Sequence, residues 1–251
     1  MTTPLILLTN DDGISAPGLR VLADAVAPLG ELVVYAPDRQ RSAVGHGVSL
    51  HQPLRISETQ PGWYKVDGTP TDCVILAVRG LLERRPNLVI SGVNAGANLG
   101  DDVTYSGTVA GAFEGMLLGI PSFAISNISH QPNNFETAGQ IAHHIAVYIL
   151  EKGLPDNVLL NVNLPDLPFE ALKGIALTRM GRRNYQDEII KRHDPRGGVY
   201  YWIGGATPDY YVSEDSDFEA IENNQISVTP LQRDLTAYSA LDQLRDMPNL
   251  W

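Results

Sequence analysis

The run Leu5-Ile6-Leu7-Leu8-Thr9 leads straight into Asn10-Asp11-Asp12-Gly13. An apolar run of this length, stopped by a glycine turn, reads as a strand buried on both faces. Two adjacent carboxylates at its end repel each other and resist losing water. A divalent cation is the simplest compensation, and hard cations such as Mg²⁺ prefer oxygen ligands of this kind. An isolated Asp-Asp-Gly is more often only a turn. The surrounding chain decides between the two readings.

Outward from this strand, short apolar runs alternate with helical spacing. Pro17–Leu29 carries Leu19, Leu22, Ala23, Val26 and Leu29 at helix intervals, and Glu31–Ala36 reads as the next strand. Leu54–Ser57 and Tyr64–Val66 flank a Pro61-Gly62 turn, and Thr69–Leu82 reads as a helix with Pro70 in its first turn. Strands are expected at Leu88–Ile90, Ser122–Ile125 and Val158–Val162, and helices at Thr108–Leu118 and Glu136–Leu150. Such alternation implies βαβ units and an α/β fold with a mostly parallel sheet covered by helices on both faces.

Past about Ile175 the pattern changes. Asn184–Lys191, Val199–Gly204 and Gln225–Thr229 are strand-like, while Phe218–Glu222 and Thr236–Arg245 read as short helices. The expected organisation is a catalytic core over residues 1–180. A C-terminal extension over 181–251 holds a hairpin, a strand returning to the core and a terminal helix. Tyr185, Tyr200, Tyr201, Trp202, Tyr210, Tyr211, Tyr238 and Trp251 crowd this extension, and interfaces are enriched in such residues.

The chain has 251 residues and a formal net charge of -11, which disfavours a surface for nucleic-acid polymers. A small phosphate ligand remains compatible, because a bound metal reverses the local sign. The single cysteine, Cys73, lies in an apolar helical stretch and reads as a packing residue. No apolar run approaches the ~20 residues of a membrane span, and no secretory signal is evident. A cytoplasmic enzyme that does not engage membranes is the expectation.

In an open parallel sheet, ligands bind beyond the carboxyl ends of the strands. Asn10, Asp11 and Asp12 follow the first strand; Asp38, Arg39, Arg41 and Ser42 follow the second; Asn94 follows Leu88–Ile90; Ser126 and Asn127 follow Ser122–Ile125. The segment Ser91-Gly-Val-Asn-Ala-Gly-Ala-Asn-Leu-Gly100 leads to Ser106-Gly107-Thr108 at a helix start, where Ser106 or Thr108 can cap. Free N–H groups and the helix dipole there make an anion site. Asn10, Asn98, Ser106, Gly107 and Thr108 are therefore the candidate phosphate or substrate contacts. His46 and His51 lie in or just after the Ser42 loop and could assist, though each reads more readily as a surface or packed histidine. His143 and His144 are read as structural. Nucleotide-binding glycine motifs, the H-E-x-x-H zinc motif and the G-x-S-x-G elbow are absent from the sequence.

Five segments resemble the SurE family, the survival-protein E nucleotidases: Thr9-Asn-Asp-Asp-Gly-Ile-Ser-Ala-Pro-Gly18, Ala36-Pro-Asp-Arg-Gln-Arg-Ser-Ala43, Gly68-Thr-Pro-Thr-Asp-Cys73, Ser91-Gly-Val-Asn94 and Tyr105-Ser-Gly-Thr-Val109. The resemblance implies a Rossmann-like core and one divalent cation, Mn²⁺ or Mg²⁺, per subunit on Asp11, Asp12, Ser42 and Asn94. It also implies hydrolysis of nucleoside 5′- and 3′-monophosphates, with short polyphosphate as a further substrate. A homodimer or homotetramer built by exchanging C-terminal arms is implied as well. The residues agree on the chemistry, because two carboxylates, a hydroxyl and an amide oxygen suit Mg²⁺ or Mn²⁺. Asp11 and Asp12 are the catalytic candidates, with the general base open between them.

Two other readings stand beside this one. A phosphatase working through an aspartyl-phosphate would need D-x-D spacing and a positioned lysine, yet Asp11 and Asp12 are adjacent and no lysine precedes Lys65. A regulatory protein that senses nucleotides would bind them with metal and release no phosphate.

Overall fold

The computed structural model describes residues 3–184, 189–203 and 209–245, and every structural statement below concerns these. Its strands are β1 (Leu5–Thr9), β2 (Glu31–Pro37), β3 (Ile56–Gln60), β4 (Trp63–Val66), β5 (Leu88–Ala95), β6 (Ser122–Asn127) and β7 (Val158–Leu164). The later ones are β8 (Ile175–Leu177), β9 (Arg182–Asn184), β10 (Ile189–His193), β11 (Val199–Ile203), β12 (Asp209–Tyr211) and β13 (Ile226–Gln232). The helices are α1 (Pro17–Val26), α2 (Pro70–Leu76), α3 (Gly107–Leu117), α4 (Phe135–Lys152), α5 (Asp217–Glu222) and α6 (Tyr238–Gln243).

Among the described residues, nine strands form one sheet in the order β3-β4-β2-β1-β5-β6-β7-β13-β8. The run from β4 to β7 is parallel, while β3 and β13 lie antiparallel to β4 and β7. Strand β1 is central and apolar throughout because both of its faces are covered. Ile6 and Leu8 join the core under α1 and α4, whereas Leu5 and Leu7 join the core under α2. Each is at most 3 % exposed, so burying the four stabilises the fold by roughly 1.5–3 kcal/mol apiece.

The helices follow local signals. Helix α2 opens with a capping box: Asp72 N–H donates to Thr69 Oγ1 at 3.1 Å, and Thr69 N–H donates to Asp72 Oδ2 at 2.9 Å. Helix α3 lies close to the sheet because its glycines leave room. A Cβ at Gly111 would fall 2.8 Å from Thr9 Cγ2, and one at Gly115 would fall 2.4 Å from Ser122 Oγ. Cys73 is fully buried, and burial pushes its thiol well above the ordinary range.

Several boundaries differ from the sequence expectation, among them the helix expected over Pro17–Leu29, whose α-helical part ends at Val26; three differences bear on the sheet and the extension. Strand β5 continues to Ala95 instead of ending at Ile90, because its ladder to β6 resumes after an irregularity between Ser91 and Asn94. Two residues on β5 there, Gly92 and Val93, oppose one on β6, Ile125, so Ile90 and Val93 reach the same core. Strand β3 sits at Ile56–Gln60, two residues beyond the apolar pattern, since pairing across the Pro61-Gly62 turn sets the register of this edge strand. Of the expected strand Asn184–Lys191, the middle, with Tyr185, lies outside the described residues, as does Trp251; Asn184 pairs in β9 and Ile189 begins β10.

Candidate active site

The carboxyl ends of β1, β2, β5 and β6 meet at one edge of the sheet. A cavity of about 260 Å³ there is lined by Asp11, Asp12, Ser42, Asn94, Asn98 and Ser106, together with Gln40, Asp102, Tyr105 and His130. Residues some 95 positions apart therefore share one chamber. The parallel sheet sends each strand end to the same side.

Each side chain is held from below. Asn10 is fully buried and lies outside the cavity lining: its amide donates to the Gly13 carbonyl at 3.0 Å and accepts from Gly13 N–H at 3.2 Å. It braces the turn that presents the two aspartates. The Asp11 carbonyl accepts from Arg41 N–H at 2.7 Å, which ties the Ser42 loop to the end of β1. Arg41 itself turns away and donates to the Asp67 carbonyl at 2.9 Å. Asp12 accepts from Ala95 N–H at 3.1 Å. Asn94 donates its amide to the Gly96 carbonyl at 2.8 Å, which leaves the amide oxygen as its group for a cation. Asn98 is anchored by Asn163, whose Oδ1 accepts from Asn98 N–H at 2.8 Å, and donates its own amide to Ser126 Oγ at 2.7 Å.

The start of α3 faces Asp11. Ser106, not Thr108, is the cap, its Oγ accepting from Val109 N–H at 3.0 Å. The Thr108 hydroxyl is committed to Asp11 Oδ1, and neither Gly107 nor Thr108 lines the cavity. Gly107 lets the helix end approach, since a Cβ there would lie 2.9 Å from Asp11 Cβ and 3.0 Å from Asp11 Oδ2.

Electrostatics set this site apart. Asp11 is 6 % exposed, and burial is the main cause that raises its pKa to about 6, with the neighbouring Asp12 adding to the rise. Burial raises Asp12 as well. Among the described residues no lysine or arginine forms an ion pair with either. Two crowded carboxylates without a protein counter-charge fit a divalent cation, and the serine and asparagine oxygens extend an all-oxygen donor set. Among the described residues no three His, Cys, Asp or Glu gather as a metal cluster, so the neutral oxygens are needed to complete it.

The other histidines lie elsewhere. His46 Nε2 is 2.9 Å from Glu114 Oε2 and its ring packs edge-on against Phe113. His51 is exposed. His143 Nδ1 is 2.9 Å from the Ala25 carbonyl, between α4 and α1.

The family model described as "Survival protein SurE" matches residues 6–187. The chain belongs to the SurE family. It is 51% identical over 237 residues to 5'-nucleotidase SurE of Pelobacter propionicus, covering 94% of this chain and 96% of that one. It is likewise 51% identical over 239 residues to 5'-nucleotidase SurE of Methylococcus capsulatus, covering 95% of each. The crystal structure of the SurE protein from Aquifex aeolicus superposes with a TM-score of 0.87 at 43% identity, covering 98% of this chain and 100% of that one. The α/β fold with a mostly parallel sheet is thus that of a solved SurE structure.

Sequence reasoning missed Asp102, His130 and Gln40 in the lining. Asp101-Asp102 repeats the adjacent-carboxylate signal of Asp11-Asp12 and was legible in principle. Asp101 accepts from Arg183 N–H at 3.0 Å and Asp102 pairs with the Arg183 guanidinium, joining the site loop to β9. His130 and Gln40 sit in polar loops where nothing in the sequence marks them.

Proposed function

We propose that this chain is a divalent-metal-dependent phosphomonoesterase that hydrolyses nucleoside 5′- and 3′-monophosphates to nucleoside and phosphate. The observation that carries the reading is the adjacent carboxylates of buried Asp11 and half-buried Asp12, which among the described residues form no ion pair with a lysine or arginine and stand beside the N-terminus of α3. That the relatives above bear the name 5'-nucleotidase supports it. Asp11, Asp12, Ser42 and Asn94 would hold one Mn²⁺ or Mg²⁺. When bound, such a cation polarises a phosphoryl oxygen and acidifies a water. The Ser106 hydroxyl lines the cavity and has its own proton to donate to the phosphate. Asp11 or Asp12 takes the proton from the attacking water. Thr108 keeps Asp11 in place through its hydroxyl.

A phosphate-release panel tests this: nucleoside monophosphates, tripolyphosphate and p-nitrophenyl phosphate, each with Mn²⁺, Mg²⁺ or EDTA. Nucleotide turnover with metal is expected to fall at least ~100-fold in EDTA and to return on adding Mn²⁺ or Mg²⁺. Full activity in a chelated protein that elemental analysis finds metal-free would sink the reading. Nucleotide binding without phosphate release would favour the sensor, and a phosphoenzyme burst on rapid quench would favour the aspartyl-phosphate route.

Assembly belongs to the same proposal. Trp202 is 64 % exposed and Leu235 91 %, and Tyr201, Tyr211 and Tyr238 are exposed as well. Exposed apolar side chains in this number support an interaction surface. The extension over 181–251 is read as the oligomerisation arm of a core over 1–180, with exchange between subunits. Light scattering is expected to return at least a dimer at micromolar concentration; a monomer there would refute it. Among the described residues no helix is long and apolar enough to cross a membrane.

A further inference from the structure

The cavity that holds the two aspartates measures about 260 Å³, below the roughly 300–1,000 Å³ of sites that enclose a whole small molecule. It accommodates a cation and a phosphate, and the rest of a nucleotide must lie elsewhere. A cleft of about 650 Å³ adjoins it between the start of α1 and the loop before α4. Asp12, Gln40, Ala95 and His130 line both spaces, so the cleft opens directly from the phosphate position.

We propose that this cleft is the nucleoside subsite, with His130 and Gln40 as the neck between phosphate and nucleoside. The proposal rests on the phosphomonoesterase reading and adds which part of the molecule takes the leaving group. The lining carries the case. Gln40, Gln131 and Asn133 offer neutral amides that both donate and accept, as ribose hydroxyls and base edges require. Phe135 and Pro17 supply an apolar floor. The lining has no lysine or arginine, so the cleft suits an uncharged leaving group and not a second phosphate.

The wall is built, not loose. Asp166 accepts from Asn133 N–H at 2.9 Å, from Asn134 N–H at 2.9 Å and from the Asn127 amide at 3.0 Å. Burial alone would push the Asp166 carboxyl up, but these donors together outweigh it and hold it below its ordinary value. One carboxylate thus pins both ends of the loop that carries His130. On the floor, a Cβ at Gly18 would lie 2.2 Å from the Val93 carbonyl oxygen and 2.9 Å from the Phe135 ring, so α1 and the ring close that side.

The rival space is a mostly apolar cavity of about 390 Å³ behind Ser106, in which Val103, Phe113, Met180 and Leu231 face a few polar groups, His46, Thr104, Gln232 and Arg233. It touches the phosphate cavity through Ser106 alone. It offers one neutral amide, Gln232, against the three of the cleft, so most sugar and base groups placed there would lose water without gaining partners.

The test uses the full chain with Mn²⁺ and compares a nucleoside 5′-monophosphate with p-nitrophenyl phosphate. Ala16→Trp fills the cleft from its rim, and Met180→Trp fills the rival cavity. Ala16→Trp is expected to lower kcat/KM for the nucleotide about 10- to 100-fold more than for the aryl phosphate, with Met180→Trp changing both alike. Saturation-transfer NMR with adenosine in EDTA is the second readout, where signal on the base protons is expected in the wild type and lost in Ala16→Trp. An equal effect of Ala16→Trp on both substrates with adenosine binding retained, or nucleotide-selective loss in Met180→Trp alone, would overturn the assignment. If the wild type hydrolyses neither ester, the phosphatase reading fails, and the adenosine signal alone decides the cleft: retained in the wild type and lost in Ala16→Trp supports it, any other pattern refutes it.

Discussion

Asp11→Asn is expected to lose at least ~100-fold in kcat while making the metal-free protein more stable at neutral pH. Both effects have one cause. Burial raises the Asp11 carboxyl from 3.8 to about 6, with the neighbouring Asp12 adding to the rise, and among the described residues no lysine or arginine pairs with it. Such a group favours the folded state where it is protonated in both states, below about pH 4. That contribution is lost as pH rises through about 6. The shift is roughly two pKa units, so metal-free wild type gives up on the order of 3 kcal/mol between about pH 4 and pH 8. Asparagine does not ionise and still accepts from the Thr108 hydroxyl. The variant should therefore gain up to ~3 kcal/mol over wild type at pH 8 and almost nothing at pH 4. Urea unfolding in EDTA at the two pH values, with kcat measured in Mn²⁺, checks both halves. Near-normal turnover, or a stability difference independent of pH, would show the aspartates to be an ordinary turn.

Asp217→Ala should destabilise the fold by roughly 2–5 kcal/mol and lower kcat as well. Asp217 is fully buried and lies far along the chain from the site. Its carboxylate accepts from Gly100 N–H at 2.7 Å, from Gly181 N–H at 2.8 Å and from Phe218 N–H at 3.0 Å. Burial nonetheless keeps its pKa above the ordinary value, so desolvation outweighs the three donors. Alanine would strand those N–H groups away from water, at a cost of about 1–3 kcal/mol for each one left unpaired. Gly100 closes the loop that begins at Asn94 and Asn98, which links the stability loss to the active site. Asp217→Asn retains one acceptor oxygen and should recover part of both losses. Urea unfolding and steady-state kinetics of the two variants decide it, and wild-type stability in Asp217→Ala would sink the idea.

Most of the core was readable from periodicity, because a strand buried on both faces and a helix buried on one leave different apolar spacings. Leu5–Thr9 is a plain example, and so is the helix read over Pro17–Leu29, which the structure forms as α1 over Pro17–Val26. Edges were less readable. Strand β3 is largely exposed, so hydrogen-bond register to β4 fixes it and its side chains carry little signal. Asn94 was identified, yet the irregularity in β5 beside it could not be, since pairing to β6 decides where a strand slips.

The same division runs through the site. Its chemistry is local: Asp11-Asp12-Gly13 after an apolar strand, and a cap followed by glycine at a helix start, announce a cation and an anion from bonded neighbours alone. Its walls are not local. His130 reaches the cavity because Asp166 pins its loop, and the Gly100 loop keeps its shape because Asp217 holds it from far along the chain. The contacts that convert Thr108 from a cap into a partner of Asp11 are likewise tertiary. Sequence by itself determined which groups are charged, apolar or conformationally free, because those properties belong to single residues and their neighbours. Only the tertiary structure decided which of them share a space, because burial and hydrogen-bond partners depend on segments that meet after the chain has folded.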